Sequence, residues 1–287
     1  MPLLIAPVFN SSAPHALSLE LSGPFRLVAG NDKLYELAAR CLRNQMDENR
    51  YFFDRKVTLQ SLFLVADYPH MKVQEDRDFI QEVEHMLNLS TVDGVCSIPY
   101  VITYQQPSYG ITYLKRSLDG DPVLFAGRTQ EIFQLLLQHE GKFPTVAYRR
   151  YLLSLEKESL EDQLLDLWIA LESIFVPDGK KGEIMFKLRY RIAYFFADTL
   201  LERKEISGFV KESYNHRSEI VHSGKVIGES LGEEVRSLRR MVRAALINMF
   251  LEQLTPQELR NRLDELILSG ETYQRRHHPA FFEPVVV

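Results

Sequence analysis

The spacing of apolar residues changes character once along the chain. Over residues 1–135, short or alternating apolar runs recur: Leu17 to Leu21, Phe25 to Val28, Val57 to Ala66, Ile98 to Tyr104 and Tyr109 to Leu114. They are rich in Val, Ile, Tyr and Phe and are bounded by Gly, Pro, Asn and Asp, which predicts strands. Two stretches break that rhythm with helical spacing. Asp32 to Gln45 sets Leu34, Leu37, Ala38 and Cys41 on one face, and Asp78 to Leu89 does the same with Ile80, Val83 and Met86 or Leu87. Gly120-Asp121-Pro122 reads as a turn. The expectation is an α+β domain over residues 1–135 with no motif of chemical content.

From about Thr129 the period becomes helical and stays so. Ser159, with Asp162 three residues on, reads as an N-cap with a carboxylate in the first turn. Leu160, Leu164, Trp168, Leu171 and Phe175 follow at helical spacing until Pro177-Asp178-Gly179 stops the helix. A second helix is expected over Glu183 to Leu201, with Ile184, Leu188, Ile192 and Phe195 inward. A third is expected over Lys204 to His222 and a fourth over Glu229 to Leu254. Thr255, Pro256 and Glu258 supply a cap, a first-turn proline and a box acid for a fifth helix ending at Gly270. Short connections predict an antiparallel bundle over residues 145–270, followed by an extended arm over 271–287.

Composition places the chain among globular proteins: 45% of its 287 residues are apolar and 25% charged. No run approaches the roughly 18 apolar residues of a membrane span. The apolar start, Met1 to Asn10, lacks the basic flank and length of a signal peptide, so a cytoplasmic location with no membrane contact is expected. Cys41 and Cys96 are too few for a disulfide framework or a cysteine-built metal site, and His277-His278 lacks metal partners at a defined spacing. No P-loop or Gly-x-Ser-x-Gly elbow occurs. No cofactor and no metal are expected. The net charge of −5 argues against broad coating of nucleic acid but leaves room for one local basic cleft.

The third helix carries the candidate chemistry. Its apolar stripe is Ile206, Val210, Tyr214 and Val221, and Arg217 stands where that series expects another apolar residue. An arginine in such a row needs a partner or a cleft. His222 follows five residues later, just before Ser223-Gly224. The two lie ~140° apart around the helix, so only the long arginine side chain lets them converge. On spacing alone, Arg-x4-His occurs about half a time by chance in a chain of this composition.

The flanks add specificity. Leu165-Asp-Leu-Trp-Ile-Ala-Leu-Glu172-Ser-Ile-Phe-Val-Pro-Asp-Gly179, then Gly182-Glu-Ile-Met-Phe-Lys-Leu-Arg189, then Tyr214-Asn-His-Arg217-Ser-Glu-Ile-Val-His222-Ser-Gly224 occur in that order. Over residues 145–255 the chain resembles the HEPN superfamily, in particular the ApeA-like HEPN domain, whose Arg-x4–6-His signature lies late in an all-α bundle. Ser223 departs from the glycine expected there. The resemblance implies an all-α HEPN-like bundle and says nothing of residues 1–130, so the expected architecture is the α+β N-terminal domain read from the apolar pattern followed by that bundle. The resemblance also implies a metal-independent endoribonuclease that works on RNA as a homodimer, in a toxin or antiphage setting. Arg217 and His222 would be its catalytic pair, and the products a 2′,3′-cyclic phosphate and a 5′-OH. The alternative is a non-catalytic HEPN module for dimerisation or RNA binding. The N-terminal domain would then sense a trigger or select substrate.

Each residue also has a plainer reading. Arg217 pairs internally with Glu172 or Asp166, and His222 is a favourable charge at a helix C-terminus. Glu172 either orients Arg217 or His222 or is structural, while Asn215, His216 and Ser218 are polar neighbours that could touch RNA. Arg236, Arg239, Arg240 and Arg243 fall on one face of the fourth helix. They are either a phosphate-binding stripe or a solvated face balanced by Glu229, Glu233 and Glu234. Lys180, Lys181, Lys187, Arg189 and Arg191 form a second basic cluster with the same two readings.

Overall fold

The structure, a computed structural model, describes residues 3–43, 53–67, 73–115, 117–118, 120–177, 184–224 and 230–274. The chain divides into two compact units, Met1–Gln138 and His139–Val287.

The first unit is built on a six-stranded antiparallel sheet. Its strands are β1 (Leu3–Pro7), β3 (Ser18–Glu20), β4 (Phe25–Ala29), β5 (Leu62–Asp67), β6 (Tyr100–Gln105) and β7 (Ser108–Tyr113), in the order β3-β4-β5-β1-β6-β7. Two short strands, β2 (Ser11–Ser12) and β8 (Val123–Leu124), pair in parallel beside it. Strand β1 occupies an interior position, flanked by β5 and β6, and Leu4, Ile5 and Ala6 are all fully buried. Helix α1 (Asp32–Leu42) covers one face through Ala38, Cys41 and Leu42, which cluster with Ile5, Phe63, Tyr100 and Ile102. Helix α2 (Val73–Ser90) meets the other face, where Phe79 packs on Phe25 at 4.8 Å between ring centroids. Helix α3 (Arg128–Gln138) completes this unit.

Two expectations change here. The apolar start, read without an element, is the interior strand β1; buried on both faces, it shows no alternation. The expected strand Val57 to Ala66 begins only at Leu62. The Ser61 side chain accepts from the Thr58 N–H and the Thr58 carbonyl accepts from the Ser61 N–H, closing a turn first.

The second unit is helical: α4 (Thr145–Glu156), α5 (Leu160–Phe175), α6 (Ile184–Phe196), α7 (Leu200–Ser223), α8 (Leu231–Glu252) and α9 (Pro256–Ser269). Helix α5 is its hub and packs on each of the others. Leu164, Leu167, Trp168, Ala170, Leu171, Ile174 and Phe175 are fully buried along it. The last ten residues of α8 before Glu252 are buried as well. Helix α6 runs antiparallel to α7, since Arg189 bonds Ser207 while Tyr194, further on, stacks under Arg203, earlier in α7. Helices α5 and α7 run parallel: Trp168 meets Ser213 and, one turn later in both, Glu172 meets Arg217.

The caps set these boundaries. Ser159 accepts from the Asp162 N–H, and Thr255 with Glu258 forms a capping box behind Pro256. A second capping box, Thr199 with Glu202, starts α7 at Leu200. It ends the preceding helix at Phe196 rather than Leu201, because the cap must leave helical geometry. Leu160 and Val221 are exposed, against the expectation of buried stripes. The expected C-terminal limit at Gln45, the Asp178-Gly179 stop, the Glu229 start and the arm beyond Gln274 lie outside the described residues. Of the arm, Tyr273 is buried against Phe195 and accepts a hydrogen bond from Asn248.

Candidate functional site

Helix α7 runs 24 residues from the Thr199 box to Gly224, whose φ of 61° takes the left-handed conformation that closes a helix. Its buried side carries Ile206, Val210 and Ser213. Ser213 accepts a hydrogen bond from the Trp168 indole at 3.0 Å, and Tyr214 stands edge-on to Trp168 at 5.1 Å. These contacts seat α7 on α5 one turn before Arg217.

Arg217 sits at the edge of that contact, with 25% of its side chain exposed. Its Nη2 lies 3.4 Å from Glu172 Oε1, too long and poorly aligned for a strong hydrogen bond, so the attraction is mainly Coulombic. The guanidinium stands 5.4 Å from the Tyr214 ring centroid, within cation–π range. Its Nε finds no acceptor among the described residues. Asp166, the other candidate partner, is held instead by Arg150 at 2.7 Å.

Glu172 completes the group. Its carboxyl pKa is raised by burial, although Arg217 and a hydrogen bond from Tyr214 both pull it down. The Tyr214 hydroxyl is raised in turn, first by burial and then by the Glu172 carboxylate. Burial therefore outweighs the Arg217 cation facing this carboxyl.

His222 lies in the last turn of α7 and is solvent-exposed. No hydrogen bond or ion pair joins it to Arg217; the two side chains leave the helix on different sides, as their spacing requires. Asn215 is exposed and Ser218 half-buried. His216, read from sequence as a polar neighbour, places Nδ1 2.8 Å from Oε2 of Glu234 on α8. That partner lies 18 residues away on another helix, and no sequence spacing announces it.

The arginines of α8 do not form one exposed row. Arg236 is paired with Glu233, Arg239 donates to Gln163 at 2.8 Å, and Arg243 is only 2% exposed. The row turns inward because the second half of α8 enters the core. The second basic cluster is dispersed too. Arg189 bonds Ser207, and buried Arg191 bridges Asp264 and the Phe175 carbonyl, tying α6 to α7, α9 and the end of α5. Lys180 and Lys181 lie outside the described residues.

Comparison with family models, with curated proteins and with solved structures finds no match for the chain. Among the described residues, no group of His, Cys, Asp and Glu is placed to hold a metal ion, and no helix is long and apolar enough to cross a membrane. Cys41 and Cys96 are free and buried.

Proposed function

We propose that the C-terminal bundle is a HEPN-like domain acting as a metal-independent endoribonuclease on RNA, in a cytoplasmic toxin or antiphage setting. The observation that supports this reading most is the state of Arg217. It is a half-buried guanidinium held at a surface edge by a long ion pair, with its Nε–H unmatched among the described residues, and an open imidazole follows five residues on in the same helix. Buried donors are almost always satisfied, so such an arginine has room for an anionic acceptor.

The chemistry follows from the residue types. RNA brings its own nucleophile. His222 takes the 2′-OH proton as the O2′–P bond forms. Arg217 holds the non-bridging oxygens as charge builds on them. The P–O5′ bond breaks, and the 5′-oxygen takes a proton from an imidazolium or from water. The products are a 2′,3′-cyclic phosphate and a 5′-OH. A homodimer built through the bundle lines one cleft with two such pairs, which a polyanion needs more than a single pair. The first unit then senses a trigger or selects substrate.

A second reading has its own support. Arg217 already faces Glu172 and makes no contact with His222, which suits a non-catalytic module that binds RNA or dimerises. A gel assay on total RNA with the wild type and Arg217→Ala separates the two. Cleavage lost in the variant supports the nuclease; shifted but intact RNA with the wild type supports the module.

A further inference from the structure

Strand β3 forms one edge of the six-stranded sheet, with β4 as its neighbour. That pairing fixes where its backbone groups point. The Ala29 N–H donates to the Leu17 carbonyl and the Leu21 N–H to the Phe25 carbonyl, so Leu17, Leu19 and Leu21 turn their N–H and C=O groups toward β4. Those of Ser18 and Glu20 turn outward, and among the described residues they meet no partner.

Helix α3 stands across from this edge. The two enclose a cleft of about 370 Å³, lined by Leu19 to Ser22 from the strand side and by Gln134, Leu137 and Gln138 from the helix. Residues on one face of a strand alternate, whereas these strand-side residues are consecutive, so the wall is the edge itself. Outward N–H and C=O groups on alternate residues are the template for an added strand. Leu19 and Leu21 share one face of β3 and are half-buried, as is Leu137, which leaves apolar surface beside that template. Glu20 is exposed, and Arg26, directly across from it on β4, pairs with Asp67 at 3.2 Å. Among the described residues the Glu20 carboxylate therefore has no cation, and a positive charge is the complement this rim lacks. A second copy of β3 would bring a second Glu20 to the same rim, where like charges repel. The occupant is thus a strand from a different chain.

We propose that the groove between β3 and α3 docks an extended peptide segment of another protein. The segment joins the sheet antiparallel to β3, as the other strands of that sheet pair, with an apolar side chain against Leu19 and Leu137 and a lysine or arginine beside Glu20. The site lies within the first unit and does not depend on the nuclease reading.

Fluorescence anisotropy of a labelled, end-blocked Leu-Lys-Leu-Lys-Leu-Lys peptide titrated with the full chain tests it. The peptide should saturate. In the proposed pairing its lysine amides face β3 and its leucine amides face away. N-methylation of the lysine amides should weaken binding at least about tenfold, and N-methylation of the leucine amides should leave it in place. Glu20→Gln should weaken binding about threefold. Glu20→Pro also removes an outward N–H that the fold does not use, so it should weaken binding at least about tenfold while the sheet persists. Should Glu20→Pro lose the sheet, the two methylated peptides carry the test. Failure to saturate overturns the proposal, as does an equal response to the two methylations. A dimer that Glu20→Pro converts to a monomer in light scattering would give the edge to a second copy and overturn it too.

Discussion

At Glu172 two opposing effects act on one carboxyl group. Burial raises its pKa, Arg217 and Tyr214 lower it, and burial wins. The folded chain therefore keeps a proton at pH values where the unfolded chain has released it. It binds more protons than the unfolded chain from the ordinary carboxyl value of 4.5 up to the raised value, so this group's contribution to stability falls as pH rises through that window. Urea denaturation should show the wild type losing stability relative to Glu172→Gln as pH climbs from 4.5. Parallel curves would contradict this account of the carboxyl. His85 on α2 works in the other direction. Burial, helped by Lys115, holds its pKa down at about 4 against an ordinary imidazole value of 6.5. The unfolded chain binds this proton first as pH falls, so stability is full above 6.5 and is lost between 6.5 and about 4. The loss should reach about 3 kcal/mol and be absent in His85→Gln, measured by the same denaturation series.

Helix α7 depends on its two ends. The Thr199–Glu202 box sets where it begins, and Gly224 in the left-handed conformation sets where it stops, two residues after His222. Thr199→Ala should cost about 1 kcal/mol by thermal unfolding, and Gly224→Ala a similar ~1 kcal/mol, because a Cβ is disfavoured at that backbone conformation. Gly224→Ala should also disturb the turn that carries His222, whereas Thr199→Ala should leave it in place. Equal effects of the two variants on RNA cleavage would contradict this division. Elements with a cap and a strong period were legible in the sequence: α5 through Ser159, and α9 through Thr255 and Gly270. The box at Thr199 was hidden because Leu200 and Leu201 extend the apolar pattern of α6 through it. Strand β1 was hidden because Leu4, Ile5 and Ala6 are buried on both faces and leave no alternation to read.

Across the whole chain, the change from period two to helical period foreshadows the two compact units, Met1–Gln138 and His139–Val287. The candidate site was legible only in part. Arg217 stood out as a charge in an apolar row, and Glu172 was one of its two nominated partners. The choice between Glu172 and Asp166 needed the parallel packing of α5 on α7, which no spacing encodes. The inward turn of Arg243 and the His216–Glu234 pair depend on how α8 enters the core, and that is likewise a tertiary property. If two copies of the bundle share one cleft, light scattering should find a dimer of the 33.3 kDa chain at micromolar concentration; a monomer would contradict it. The most direct test is the fate of RNA incubated with the full chain in EDTA, with the ends of the products identified. The account predicts cleavage to 2′,3′-cyclic phosphate and 5′-OH ends, lost in Arg217→Ala and in His222→Ala while both variants keep the wild-type helical spectrum. Intact RNA, cleavage that needs a divalent ion, or cleavage that persists in both variants would contradict it.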